Sequence, residues 1–332
     1  MTFSSIRIEL RSVGDMEMGS KHVLQKQKLE LFHIIKEATF IPVKNINFVF
    51  FTIITSFPLF CCLWYYEILL QSILSQIPGI LKQPPFFYFI WPTPFDIINN
   101  LLAEFLYRLV RPCLLYLVPL HLLEFISAFM SVSIASKIYK EKQMSLNEMF
   151  EKPIHKAKLR ATFITSLYAH VLSTCTLLGL IWLVTTYFAI FWKSVVDVFF
   201  AVFHGAAFVA LLMKYMEWSA AWKMSVVISI VEEKYGMDAL VISDYFRRGS
   251  EQRGLFLMLF FSGWDFVIRV VGLYWCGIIL QVCLLCLCNT MKWMASMVYF
   301  YDCKSRIFEK KVDEEMGKEI KGIDEQSSLA RE

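Results

Sequence analysis

Residues 218–254 read WSAAWKMSVVISIVEEKYGMDALVISDYFRRGSEQRG. Trp218 and Trp222 open an apolar segment that ends at Val231. Glu232 and Glu233 follow, then a break at Tyr235–Gly236, a short amphipathic run and the group Arg247–Arg248–Gly249. From Leu255 the chain is apolar again. Aromatic rings favour the headgroup layer and charge is costly in hydrocarbon, so the pattern predicts a membrane helix that emerges into water, turns over and re-enters.

Composition points the same way. Apolar residues make up 57% of the chain and phenylalanine alone 30 of 332 positions. A soluble domain of this length has no interior able to hide so much apolar surface, which makes the bilayer the solvent. The first forty residues are polar and mixed in charge, so the first apolar helix is expected to act as its own insertion signal.

The expected fold is all-α, a polytopic integral membrane protein of about six transmembrane helices. Residues 1–20 lack periodicity and are expected to be disordered. Within 21–45, Leu24, Leu31, Phe32 and Ile35 recur at helical spacing among Lys26, Lys28 and Lys36, which predicts an amphipathic helix stopped by Pro42. It lies on the membrane surface or, alternatively, packs on the loops as a soluble helix. Residues 46–301 form the membrane domain and 302–332 a charged, solvated tail, partly helical or disordered.

The spans are expected at about Ile46–Leu70, Leu109–Ser136, Ala161–Ile190 and from Val195 toward Val231, with one or two more between Leu255 and Tyr301. Gly272 and Gly277 are the candidate turn neighbours in that last run. Residues 71–108, rich in proline and aromatic rings, are too broken for a span and read as an interfacial segment. Ser145-Leu-Asn-Glu148 is a capping-box pattern that starts a short elbow helix ended by Pro153. Its layout resembles that of 237–256, a possible internal repeat.

Lys and Arg concentrate in the N-terminal arm, in 137–160, in 214–253 and just after Tyr301. The positive-inside rule then gives six spans with both termini and both elbows in the cytosol. The sequence does not separate endoplasmic reticulum from plasma membrane.

Catalytic signatures such as H-E-x-x-H, G-x-S-x-G, the P-loop and G-x-G-x-x-G are absent, so no catalytic residue, metal or cofactor is expected. The nine cysteines fall in or beside apolar runs and read as small hydrophobes. For Cys283-x-x-Cys286, packing is preferred to a metal pair. At Cys303 the alternative is reversible acylation.

Two sets of residues remain as functional candidates. His121, Glu124, His170 and His204 are ionisable groups inside predicted spans. They form either a proton or ion site or hydrogen bonds that fix helix packing. Glu232, Glu233, Ser243, Arg247, Arg248 and Arg253 belong to the elbow, where the expected partners are membrane lipids, anionic lipid of the cytosolic leaflet or a cytosolic protein, and no nucleic acid. Asp265 and Arg269, four residues apart, are placed to pair with each other.

The elbow is also similar to a pattern in the membrane domain attached to some bacterial glycerophosphoryl diester phosphodiesterases. The matching positions are Glu232 or Glu233, Gly236, Ala239, Leu240, Ser243, Arg248 and Gly249. Over roughly Lys21 to Lys311 the chain more closely resembles a plant family of six-span transmembrane proteins without assigned function. That resemblance is carried by the same stretch, by Ser145 to Glu148 and by MVYFYDCK at 297–304. It implies six helices with short interfacial elbows on the cytosolic side. The phosphodiesterase activity belongs to a separate soluble domain in those proteins and is not implied here. The leading expectation is a non-enzymatic scaffold or regulator of membrane organisation. The alternative is a transporter or channel using the intramembrane His and Glu residues, and an intramembrane lipid enzyme has the least support.

Overall fold

The structure is a computed structural model that describes residues 31–81, 114–140, 145–151, 156–193, 198–274 and 277–329. The expected disordered arm, most of the proline-rich interfacial segment and Pro153 lie outside the described residues.

Every regular element described is helical. Helix α1 spans Leu31–Lys44 and α2 spans Ile46–Leu81. A π-helical turn, Tyr116–Leu120, holds Pro119 and leads into α3, His121–Tyr139. The elbow helix α4, Leu146–Glu151, precedes α5, Lys156–Lys193, and α6, Val198–Val231. The second elbow, α7, is Met237–Arg247, followed by α8, Glu251–Tyr274, and the long α9, Ile278–Leu329.

Five of these helices are long and apolar enough to cross a membrane: α2, α3, α5, α8 and α9. The run from Leu255 to Tyr301 therefore holds two spans. The five are drawn from the described residues, and they accord with the expected all-α polytopic membrane fold. In the charged tail, α9 continues as one helix to Leu329.

Helix α9 is the pole of the bundle, in contact with α1, α2, α3, α6, α7 and α8. Its buried face includes Met294, Met297, Val298 and Phe300, at most 2% exposed, and these residues belong to the main core. Exposed Phe57, Trp182 and Phe266 lie on spans, where hydrocarbon rather than water is the neighbour.

Pro42 does not stop α1, which runs on to Lys44. Asn45 makes the break, and its Oδ1 accepts the Asn47 N–H at 3.1 Å, capping α2. Ile34, Ala38 and Ile41 of α1 are buried in the core at successive turns while Phe32, Phe40 and Val43 point outward. α1 is thus docked on the bundle and greasy on both faces.

One end of the bundle gathers both elbows. Tyr139 at the end of α3 stacks on Tyr301 of α9 with centroids 5.2 Å apart. Lys158 at the start of α5 pairs with Glu233, and Lys304 of α9 with Glu232. At the start of α4 the capping box forms as read: Ser145 N–H donates to Glu148 Oε2 at 3.2 Å and Glu148 N–H to Ser145 Oγ at 3.4 Å. Gly249 follows α7 with φ +83°, the left-handed conformation that glycine adopts without steric cost.

Candidate functional site

Ionisable side chains from five helices meet inside the bundle. On α3, His121 sits three residues before Glu124, so both face the same neighbours. The His121 ring stacks on that of His170 from α5, with centroids 3.8 Å apart, and shares a 3.4 Å hydrogen bond with Ser166 Oγ. Glu124 lies within electrostatic reach of both imidazoles and of two lysines, Lys223 from α6 and Lys292 from α9. Those lysines are also within electrostatic reach of each other. Lys292 Nζ is 3.6 Å from Asp265 Oδ2 on α8, and Lys223 Nζ stands 5.7 Å from the centre of the Trp293 ring. Asp265 also lies close to Cys288, within electrostatic reach of its thiol.

The arrangement is a cluster of His170, His121, Glu124, Lys223, Lys292 and Asp265, in which His121 touches His170 and Lys292 touches Asp265. Two carboxylates accompany two amines and two imidazoles. Such a set offsets the cost of placing charge among apolar helices, and its members differ enough in chemistry to pass a proton in steps. Around it the packing is apolar, with Phe125 edge-on to Phe163 at 5.4 Å. Among the described residues no group of three or more His, Cys, Asp or Glu side chains is placed to hold a metal ion.

His204 is not part of this cluster. It sits near the start of α6, edge-on to Phe203. Conversely, Lys223, Lys292 and Asp265 were not singled out as site residues from the sequence. Each is a charge inside an apolar helix, which is the signal that could have marked them.

Asp265 and Arg269 do not pair with each other, contrary to the sequence expectation. Arg269 donates instead to Glu67 of α2, whose other carboxylate oxygen accepts from Gln281 Nε2 of α9 at 3.1 Å. Gln71 Nε2 reaches Gln281 Oε1 at 3.4 Å, closing a polar knot between α2, α8 and α9 at the end of the bundle away from the elbows. The break between α8 and α9 lies between Gly272 and Gly277, as expected, and Gly272 also packs against this knot, where a Cβ would collide with the Gln281 side chain. The knot was hidden because Glu67 sits in WYYEILL, where aromatic neighbours suggested an interface.

At the elbow, most charges are spent inside the protein. Arg247 is buried and donates to Glu217 Oε1 at 2.6 Å and to Asp244 Oδ1 at 2.9 Å. Burial opposes its charge, but the hydrogen bonds it donates to these two carboxylates hold its pKa above the ordinary value. Arg253 pairs with Asp302 at 3.2 Å, and Asp302 also binds Arg306. Glu232 meets Lys304 at 2.8 Å and Glu233 meets Lys158 at 2.9 Å. Ser243 is buried and bonds the Leu240 carbonyl of its own helix. Arg248 differs: its side chain is 72% exposed, and it touches Asp244 only at 3.6 Å.

Of the cysteines, Cys283 is exposed and Cys286 buried on neighbouring turns of α9. Cys303 is fully buried within the core, beside Tyr299. That position leaves no space for an acyl chain on its sulfur. Comparison with known protein families, with curated proteins and with solved structures found no match to the chain.

Proposed function

We propose that the protein moves protons across its membrane, alone or coupled to a solute, through the cluster of His170, His121, Glu124, Lys223, Lys292 and Asp265. The observation that carries this reading is the convergence of six titratable side chains from five helices in one apolar bundle. One hydrogen-bonded pair is enough to lock two helices together. Six groups in one cluster exceed that need, and intramembrane ionisable residues are characteristic of proton and ion paths. The clustering of basic residues at the elbow end supports a cytosolic placement of that end.

The test is flux in liposomes. Purified protein reconstituted around an internal pH dye is expected to dissipate a pH gradient faster than protein-free liposomes, and Glu124→Gln is expected to remove most of that flux. No flux with protons across a range of gradients, or with common solutes added, overturns the proposal.

A second reading has its own observation. On α7, Met237 and Val241 are exposed apolar residues on the helix that ends at the exposed Arg248. An amphipathic elbow of this kind suits contact with an anionic leaflet, the basis of a scaffold role. Arg248→Gln is then expected to weaken binding to anionic vesicles, and unchanged binding counts against it.

A further inference from the structure

A groove of about 450 Å³ runs along the outside of the bundle between α2 and α9. Phe48 and Met294 line it at the elbow end, and Phe60 and Cys283 at its deep end. Both helices are spans, so the groove opens toward the bilayer rather than toward water. The three hydroxyls in its wall are already committed. Thr52 Oγ donates to the Phe48 carbonyl at 2.6 Å, Thr290 Oγ to the Cys286 carbonyl at 3.1 Å, and Ser56 Oγ bonds Ser127 Oγ at 3.1 Å. The wall's hydroxyls are engaged within the protein and the rest of it is apolar, so it is suited to hydrocarbon.

Its length selects the kind of hydrocarbon. From Phe48 to Phe60 is about twelve residues, or roughly 18 Å at the helical rise. The hydrocarbon core of a bilayer is about 30 Å thick, so the groove is close to one leaflet deep. It begins at the membrane surface where α1 meets α2. Pro42 lines its mouth, and the exposed Lys44 lies between Pro42 and Phe48 in the chain. A single apolar slot one leaflet long, with an exposed cation two residues beyond the Pro42 that lines it, matches one acyl chain and the phosphate of an anionic lipid.

We propose that this groove binds one anionic phospholipid of the elbow-end leaflet, with an acyl chain along α2 and α9 and the headgroup phosphate at Lys44. The site is separate from the titratable cluster in the bundle interior and does not depend on the transport reading.

The experiment uses the full-length protein in nanodiscs doped with phosphatidylglycerol or phosphatidylcholine carrying a photoactivatable acyl chain, with labelled peptides mapped by mass spectrometry. Phosphatidylglycerol is expected to label the peptides of 48–60 and 283–294 several-fold above the α5 peptide bearing Trp182, which is exposed on another span. Leu287→Trp adds bulk from the exposed rim of the groove and is expected to abolish that excess while leaving labelling of α5 unchanged. Lys44→Gln is expected to keep the chain in place but to reduce the preference for phosphatidylglycerol over phosphatidylcholine about fivefold. Uniform labelling of all lipid-facing helices, or labelling insensitive to Leu287→Trp, overturns the site. Equal labelling by the two lipids in the wild-type protein overturns the anionic headgroup.

Discussion

Arg269 on α8 pairs with Glu67 on α2 and not with Asp265, four residues before it on its own helix. The consequence is a link between two spans that are some two hundred residues apart in sequence. The Glu67 side chain is 2% exposed, whereas Arg269 keeps 36% of its surface open. Losing one partner is therefore unequal. Arg269→Leu strands a buried carboxylate, while Glu67→Leu leaves a guanidinium that can still reach out of the bundle. Removing one member of a buried pair costs about 3–5 kcal/mol, and replacing both with apolar residues is often neutral. Thermal unfolding in detergent is expected to show a large loss for Arg269→Leu, a smaller one for Glu67→Leu and recovery in the double variant. Additive losses in the double variant would show that the pair is not what joins these helices.

Gly254 marks the closest approach of α6, α8 and α9. A Cβ there would stand 2.8 Å from the Tyr299 hydroxyl and 3.0 Å from Ala220 Cβ. Tyr299 is 1% exposed and its hydroxyl is held by the Ser250 carbonyl at 3.0 Å, so it cannot swing aside without losing that bond. Gly254→Ala is expected to destabilise by about 1–3 kcal/mol, the usual range for overpacking a core. Ala220→Gly in the same chain is expected to restore part of the loss. A single Gly254→Ala variant with wild-type melting would mean that the three helices can separate there at little cost.

Arg247 holds the second elbow to α6. Its fork serves Glu217 and Asp244 together, and a lysine ammonium has no planar fork with which to do the same. The Glu217 contact is the more enclosed of the two, since Asp244 is half exposed. Arg247→Lys is expected to cost about 2 kcal/mol, in the range of a hydrogen bond to a charged group. Hydrogen exchange should then rise across Met237–Arg247, with α8 and α9 unchanged. Arg248→Gln, on the exposed neighbour, should leave exchange as it was. Equal exchange in both variants would mean that α7 is held by its apolar face alone.

What could be read in the sequence was what neighbouring residues settle among themselves. The Ser145–Glu148 cap, the left-handed Gly249 and the apolar runs of α2, α8 and α9 follow from local chemistry, and the structure has them. Partnership between helices was not legible, because periodicity gives a face without saying what covers it. Asp265 and Arg269 illustrate this: the i, i+4 spacing was real, yet tertiary packing supplied better partners in Lys292 and Glu67. The same gap separated His204 from the other histidines.

The titratable cluster itself can be divided between packing and transport. Asp265 faces Lys292 at 3.6 Å, whereas Glu124 lies within electrostatic reach of both the imidazoles and the lysines. If the cluster is only a set of ion pairs, charge is all that matters. Asp265→Asn and Glu124→Gln should then destabilise alike, and Lys292→Met should rescue Asp265→Asn by removing the stranded ammonium. If protons pass along it, Glu124 is the joint between its two halves. Glu124→Gln should then abolish proton flux with little change in melting temperature, and His121→Gln should do the same. The Asp265→Asn, Lys292→Met pair should recover stability without recovering flux. Flux that survives Glu124→Gln while stability falls would assign the cluster to packing.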